Sequence, residues 1–367
     1  MRIVSFNCEV TIDVGKHGHG RSVALQPGIT YVMATAPYNA LISDNPQLAG
    51  MIAGAGVWET RLKPFVAQAD GRGETVLFYT GAGGLGDQVL AWPAARHLSL
   101  SGYKVSILAD PGNDACWRNF SWIDKVLTLP APFNVASQFD HHAIFEHVTN
   151  ADSLSDQIHP TDCLLFRMGL TKVKIPPVLD LLQYQPSLKA RSRRWSDRPY
   201  GLLHVSATNT LRSLTPASVE ALAADLAATA PQLDWIAVSD ASNKAHEAVK
   251  LPSEFRKMQA ASFEELVSAC CGAAVGVGPD SLLMHLFGTF GRPFVAYFGP
   301  LPPNLRTRHY KSVRAVYSQG TCRFAPCHAL SAAVHLPPGC PGPEPGYCAV
   351  AAAGAKHVSA QIKLALQ

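Results

Sequence analysis

Two glycine-bearing turns hold the residues best suited to chemistry in this 367-residue chain. In the first, the apolar run Val76 to Tyr79 enters Thr80-Gly81-Ala82-Gly83-Gly84-Leu85-Gly86-Asp87-Gln88, and Val89 to Leu100 reads as a helix. A strand, a turn without side chains and a helix N-terminus together offer backbone N–H groups and the positive end of a helix dipole. Such a cradle suits a phosphate or a substrate oxygen, with Asp87 at its lip. In the second, Ala273 to Val277 ends at Gly278-Pro279 and a helix starts at Asp280-Ser281, followed by Leu282 and His285. Free N–H groups at that helix start again favour an anion. The plainer reading of both is structural: glycines that permit a tight turn, Asp280 as a helix cap, His285 packed in a core.

Four cysteines form a third cluster. Cys322, Cys327, Cys340 and Cys348 are separated by 4, 12 and 7 residues. Under reducing conditions thiols so close in sequence favour iron or zinc over disulfides, and four thiolates close a structural site without leaving an open catalytic position. Ligand type does not separate the two metals. Cys270 and Cys271 read as core.

The elements that must position these groups follow an α/β rhythm. From Val76 the order is strand 76–80, helix 87–100, strand 104–108, a helix from Asn113 and a strand 125–129. After a charged, proline-ended linker, Arg191 to Pro199, it restarts with strand 200–206 and a helix 216–230 capped by Thr215. Strand 235–239, a helix from Asn243 and a Ser262-capped helix to Cys270 come next, then strand 273–277, helix 281–290 and strand 293–298. Such alternation implies parallel sheets covered on both faces. Residues 1–73 differ, with β-prone stretches 2–14 and 23–34 and a short helix at 46–58. The expected domains are a small β-rich N-terminal module (1–73), two α/β domains (74–195 and 196–310), and a cysteine-rich loop with a C-terminal helix (311–367) that spans 358–366.

Composition narrows the class. The chain is 47% hydrophobic and 16% charged, and no apolar run approaches the roughly 18 residues of a membrane span. Its length exceeds the roughly 250–300 residues at which one core stops growing. The N-terminus lacks a signal-like apolar stretch and reaches an acid at Glu9, so a cytoplasmic protein is expected. A net charge of +4 helps an anionic ligand but is far from the dense basic patch of a nucleic-acid binder.

Taken in order, the two turns resemble family 9 glycosyltransferases, the lipopolysaccharide heptosyltransferases and their relatives. The resemblance rests on Gly84-Leu85-Gly86-Asp87 with Trp92-Pro93-Ala94, and on Asp280-Ser281 with His285, Gly291-Arg292-Pro293 and Phe298-Gly299-Pro300, across residues 76–310. It implies two Rossmann-like domains facing across a cleft (GT-B) and metal-independent transfer, with inversion, of a heptose-like sugar. The implied donor is a nucleotide-diphosphate-sugar such as ADP-heptose, and the acceptor a hydroxyl on a glycan or protein, favoured over nucleic acid. Asp87 matches the general base. Arg212, Asp280, Ser281, Leu282 and His285 match donor-side positions, together with Gly84 and Gly86 of the first turn. The family commonly has glycine where this chain has Leu282. The N-terminal module and the cysteines are more similar to autotransporter heptosyltransferases, which carry a cysteine-bound iron; a homo-oligomer is compatible with either branch. In this frame the stretch Asp140-His141-His142 to His147 reads as acceptor contacts or as a solvated face.

Two other classes fit parts of the chain. Gly81, Gly83 and Gly86 satisfy G-x-G-x-x-G, with Asp110 where a ribose-binding acid belongs, as in an NAD-dependent oxidoreductase. A non-catalytic binding or assembly module is the other reading.

Overall fold

The computed structural model describes residues 1–14, 21–44, 46–57, 65–68, 70–81, 84–146, 157–170, 195–205, 207, 210–238, 249–258, 260, 262–317, 322–324, 327, 340, 348 and 354–367. The chain divides into two compact units. The first comprises Met1–Ser155, Pro160–Pro177 and Gln183–Gln185; the second comprises Asp156–His159, Val178–Leu182 and Pro186–Gln367.

In the first unit, β1 (Arg2–Phe6) pairs antiparallel with both β4 (Thr30–Met33) and β5 (Ile52–Val57), and β2 (Val10–Val14) forms a hairpin with β3 (Arg21–Leu25). A helix, α1 (Thr35–Asp44), follows β4. The helix expected over 46–58 is instead a 3-10 turn, Pro46–Met51, leading into β5. Ile52-Ala-Gly-Ala-Gly-Val contains two glycines that weaken a helix by about 1 kcal/mol each, and β1 supplies a free edge for it.

The N-terminal module is built into the α/β layer that follows it. β4 takes β9 (Ala131–Pro132) as its outer partner, and Met1, Ile3, Val32 and Ala34 share a core with Leu77, Tyr79 and Leu108. That layer is a parallel sheet of β6 (Thr75–Thr80), β7 (Lys104–Ala109), β8 (Ile123–Thr128) and β10 (His141–Phe145), in the order β10-β6-β7-β8. Helix α2 (Leu85–Leu100) follows β6. Within it, Trp92 is fully buried, edge-on to Phe120 at 4.8 Å between ring centres. Where a helix from Asn113 is expected there is a single 3-10 turn, Asp114–Cys116.

The second unit is a fully parallel sheet in the order β13-β12-β11-β14-β15-β16. Its strands are β11 (Tyr200–His204), β12 (Asp234–Val238), β13 (Phe255–Met258), β14 (Val275–Pro279), β15 (Phe294–Phe298) and β16 (Val313–Tyr317). Every residue of β11, β14 and β15 is buried, as a sheet covered on both faces requires. In chain order this is the 3-2-1-4-5-6 arrangement of dinucleotide-type folds. Thr215 caps Pro216–Thr229 by accepting from Ser218 N at 3.2 Å, and Ser262 caps Phe263–Gly272 by accepting from Glu265 N at 3.2 Å. The terminal helix, Ala355–Ala365, packs Val358 and Ile362 into the same core. The expected helix from Asn243 and the linker before Trp195 lie outside the described residues. Among the described residues no helix is long and apolar enough to cross a membrane.

Candidate functional site

In a doubly wound sheet, ligands collect beyond the strand C-termini where strand order reverses. In the second unit that point lies between β11 and β14, and it brings together His204, Pro279, Asp280 and Ser281. Gly278 makes the approach feasible: a Cβ there would lie 2.8 Å from the Cβ of His204. His204 Nδ1 and Ser281 Oγ are 2.7 Å apart. Ser281 is the N-cap of the helix Leu282–Thr289, yet its hydroxyl makes no capping bond. The hydroxyl is engaged by the imidazole, so the cap does not occupy the first-turn amides. Leu282, the first helical residue, is half-buried; its side chain leaves the helix-start amides less open than glycine would.

Behind this helix start sits a buried charge cluster. Asp280 is 2% exposed. Arg212 Nη1 donates to the Asp280 carbonyl at 2.8 Å and lies 3.6 Å from its Oδ2. Arg306 Nε stands 3.8 Å from the same oxygen, and His285 Nε2 is 3.6 Å from Oδ1. None of the carboxylate contacts is short enough to be a hydrogen bond, and neither Oδ1 nor Oδ2 has such a partner. Burial holds the His285 imidazole down to about 4, against the pull of Asp280, and the two arginines push the same way as burial. His159 is also held well below its ordinary value, first by burial and then by His309. Its Nε2 donates to the Arg306 carbonyl at 3.3 Å, and its ring meets His309 edge-on at 4.7 Å. With both imidazoles neutral, two guanidiniums face one carboxylate, and the excess is positive. Arg212 is the cation that reaches solvent, its side chain 28% exposed against 7% for Arg306.

The fold gathers Arg212, Asp280, Ser281, Leu282 and His285, the five residues expected on the donor side, at this switch point. His204, Arg306, His159 and Tyr310 join them unannounced by the sequence, Tyr310 packed 5.8 Å from the His285 ring. No local pattern marks them; a strand end and a turn after β15 meet only through the sheet order.

In the first unit the glycine turn follows β6, next to β10, where that sheet also reverses. Gly84 is the N-cap of α2, exposed, with open space where a side chain would be, and Gly86 is half-buried in the first helical turn. Asp87 Oδ2 accepts the Gly84 N–H at 2.8 Å, so one carboxylate oxygen fixes the helix start. Ala82 and Gly83 lie outside the described residues. Asp110, the ribose acid of the dinucleotide reading, is 9% exposed and accepts the Tyr79 hydroxyl at 3.3 Å. A buried acid bonded to a buried phenol is poorly placed to take a ribose. The histidine stretch is strand β10: His141 Nε2 is 2.9 Å from Glu74 and His142 Nε2 donates to the Ala136 carbonyl at 2.9 Å. Those partners oppose the reading of this stretch as acceptor contacts. His147 lies outside the described residues.

None of the cysteines is in a disulfide. Among the described residues no three His, Cys, Asp or Glu side chains are arranged to hold a metal ion. Cys348 nonetheless senses the other three: burial first, then Cys322, Cys327 and Cys340, push its thiol up to about 11. Cys348 and Cys322 share a hydrogen bond, and Cys327 and Cys340 are near enough to couple with Cys348 electrostatically. A Cβ on Gly299 would lie 2.8 Å from that of Cys348, and Leu211 packs on Cys348 with Cys327 beside it. Four gathered thiols have the donor chemistry of a structural iron or zinc centre.

No protein-family model matches the sequence, and no curated protein matches it. Solved structures do match in fold. A family 9 glycosyltransferase from Veillonella parvula aligns over 82% of this chain and 99% of its own, at 12% identity and a TM-score of 0.58. The Escherichia coli ADP-heptose lipopolysaccharide heptosyltransferase II aligns over 80% and 98%, at 14% identity and 0.52. The dodecameric, iron-containing heptosyltransferase TibC, solved with ADP-D-beta-D-heptose, aligns over 81% and 78%, at 14% identity and 0.59; it comes from enterotoxigenic E. coli. This chain shares their glycosyltransferase fold and has an antiparallel β module at its N-terminal end.

Proposed function

We propose that this protein is a family 9 glycosyltransferase that moves a heptose-like sugar, with inversion, from a nucleotide-diphosphate-sugar to a hydroxyl of a glycan or protein. The observation that carries the reading is the switch point of the second unit, where an uncapped helix start and a partly exposed arginine meet around Ser281. There the leaving diphosphate is held by the first-turn amides of Leu282–Thr289 and by Arg212, which supply positive charge where negative charge develops. His204 holds the Ser281 hydroxyl in one orientation toward the same phosphates. On the first unit, Asp87 takes the acceptor proton as attack proceeds, since an alcohol is a weak nucleophile until a base removes it. The charge on the leaving group is met by protein groups, so no step passes through a metal. Gly84 and Gly86 leave the turn beside Asp87 open to substrate.

The donor is read as ADP-heptose because one fold relative, TibC, is solved with ADP-D-beta-D-heptose and another is named an ADP-heptose heptosyltransferase. Cys322, Cys327, Cys340 and Cys348 would hold iron or zinc as a structural tie, a reading supported by TibC's iron and by the gathered thiols. TibC is dodecameric, and a homo-oligomer is the corresponding reading here. Of the segments 1–73, 74–195, 196–310 and 311–367, the first shares a core with the second, and the C-terminal helix of the last packs into the core of the third, so the division of labour follows two units. A cytoplasmic protein is the corresponding reading, since a thiolate metal centre needs its cysteines reduced.

The test is a panel of nucleotide-sugars scored by thermal shift and by release of the nucleoside diphosphate. Asp87→Asn is expected to lower turnover by roughly 10²–10⁴-fold, the usual contribution of a general base, with ADP binding retained. Enhanced NADH fluorescence on addition of protein, with no response to nucleotide-sugars, would restore the oxidoreductase. Unchanged function in the Asp87 variant would favour a non-catalytic module.

A further inference from the structure

We propose that Arg306 is a positioning residue: as the resident counter-ion of buried Asp280, it leaves Arg212 able to turn to the donor's diphosphate. The inference rests on the donor-site reading above and goes beyond it, since it assigns Asp280 to the control of Arg212 and not to a direct sugar contact.

The geometry distinguishes the two arginines. Both reach the same carboxylate oxygen, at 3.6 Å for Arg212 and 3.8 Å for Arg306, so the attraction each feels is closely similar. Their surroundings differ. Arg306 is 7% exposed; its Nη1 donates to the Leu305 carbonyl at 3.1 Å, and its own carbonyl accepts from His159. It sits in the short turn of helix Asn304–Thr307 after Pro302 and Pro303, locked in place. Arg212 is partly exposed and donates to a main-chain carbonyl, that of Asp280, at 2.8 Å. Asp280 is sealed from water, and a buried charge that loses its partner is strongly unfavourable. If Arg212 were its sole counter-ion, moving toward a phosphate would strand the carboxylate. With Arg306 fixed alongside, the carboxylate stays balanced and Arg212 is released at little cost. Both arginine contacts to the carboxylate itself are too long for hydrogen bonds, so neither guanidinium is tied to it by a directional bond.

The experiment follows Arg212 directly. Phenylglyoxal labelling at Arg212, read by mass spectrometry on the full chain without ligand, reports how tightly it is held; calorimetry with ADP reports the consequence. In Arg306→Met the carboxylate keeps Arg212 to itself, so labelling falls and the ADP dissociation constant rises by about tenfold or more, the scale seen when one member of a buried charge set is removed. Arg306→Lys retains the charge and stays near wild type. In Arg306→Met/Asp280→Asn the carboxylate is neutralised, and both labelling and affinity return. Unchanged Arg212 labelling in Arg306→Met, or no recovery in the double variant, overturns the inference. Should Arg306→Met not fold, the neutral double variant decides: labelling at least equal to wild type is expected, and a fall overturns it. If the wild type binds neither ADP, UDP nor pyrophosphate, the donor-site reading fails, whereas the labelling comparison still judges the arginine pair.

Discussion

Replacing His285 by Gln should flatten the pH dependence of the second unit's stability by an amount the structure specifies. The imidazole is buried between Asp280 and Tyr310, and burial lowers its affinity for a proton from the ordinary 6.5 to about 4. Folded, it is neutral above about 4; unfolded, it takes a proton below about 6.5. Over that interval the unfolded chain binds more protons, so stability is complete above 6.5, falls as pH drops, and stops falling below about 4. Integrating the two titrations gives about 2 kcal/mol lost between pH 7 and pH 5, and about 3 kcal/mol over the whole window. His159 shifts in the same direction and adds to the wild-type loss, so the measurement is the difference between the two proteins. Urea unfolding followed by tryptophan emission, with Trp235 buried in the second sheet, supplies the two stabilities at each pH. Glutamine preserves polarity and approximate size but cannot titrate. A gap between wild type and His285→Gln that changes by less than about 0.5 kcal/mol from pH 7 to pH 5 would refute the neutral, buried imidazole.

Other perturbations probe separate parts of the design. Arg212→Gln, at a side chain that reaches solvent, should leave the melting temperature nearly unchanged while weakening ADP binding about tenfold or more, as loss of a charge-assisted phosphate contact does. Gly276→Ala places a Cβ 2.4 Å from Phe294 and 2.8 Å from Phe287; the overpacked core should cost about 1–3 kcal/mol in urea unfolding. Cys348→Ser should abolish stoichiometric iron or zinc in elemental analysis of the purified protein if the four thiols form one centre; retained metal would assign it elsewhere. Thr215→Ala removes the bond to Ser218 N and should cost about 1 kcal/mol.

Much of this protein is determined by local sequence. The strand-to-helix alternation and the Thr215 and Ser262 caps can be read along the chain, because burial on both faces demands continuous apolar strands and helix starts demand cap residues, whereas the five donor-side candidates follow from a family resemblance. The N-terminal region shows where that logic stops. Ile52–Val57 becomes a strand because β1 has an open edge, and β9 joins the same sheet from beyond β8; pairing with distant segments outweighs weak local preference. The charge cluster is wholly a product of sheet order. Parallel strands set β11 beside β14, bringing His204 to Ser281, while the turn after β15 carries Arg306 beneath Asp280. Whether a charged side chain is a solvated loop residue or a buried counter-ion depends on which distant groups enclose it, and that is decided only when the sheet is assembled.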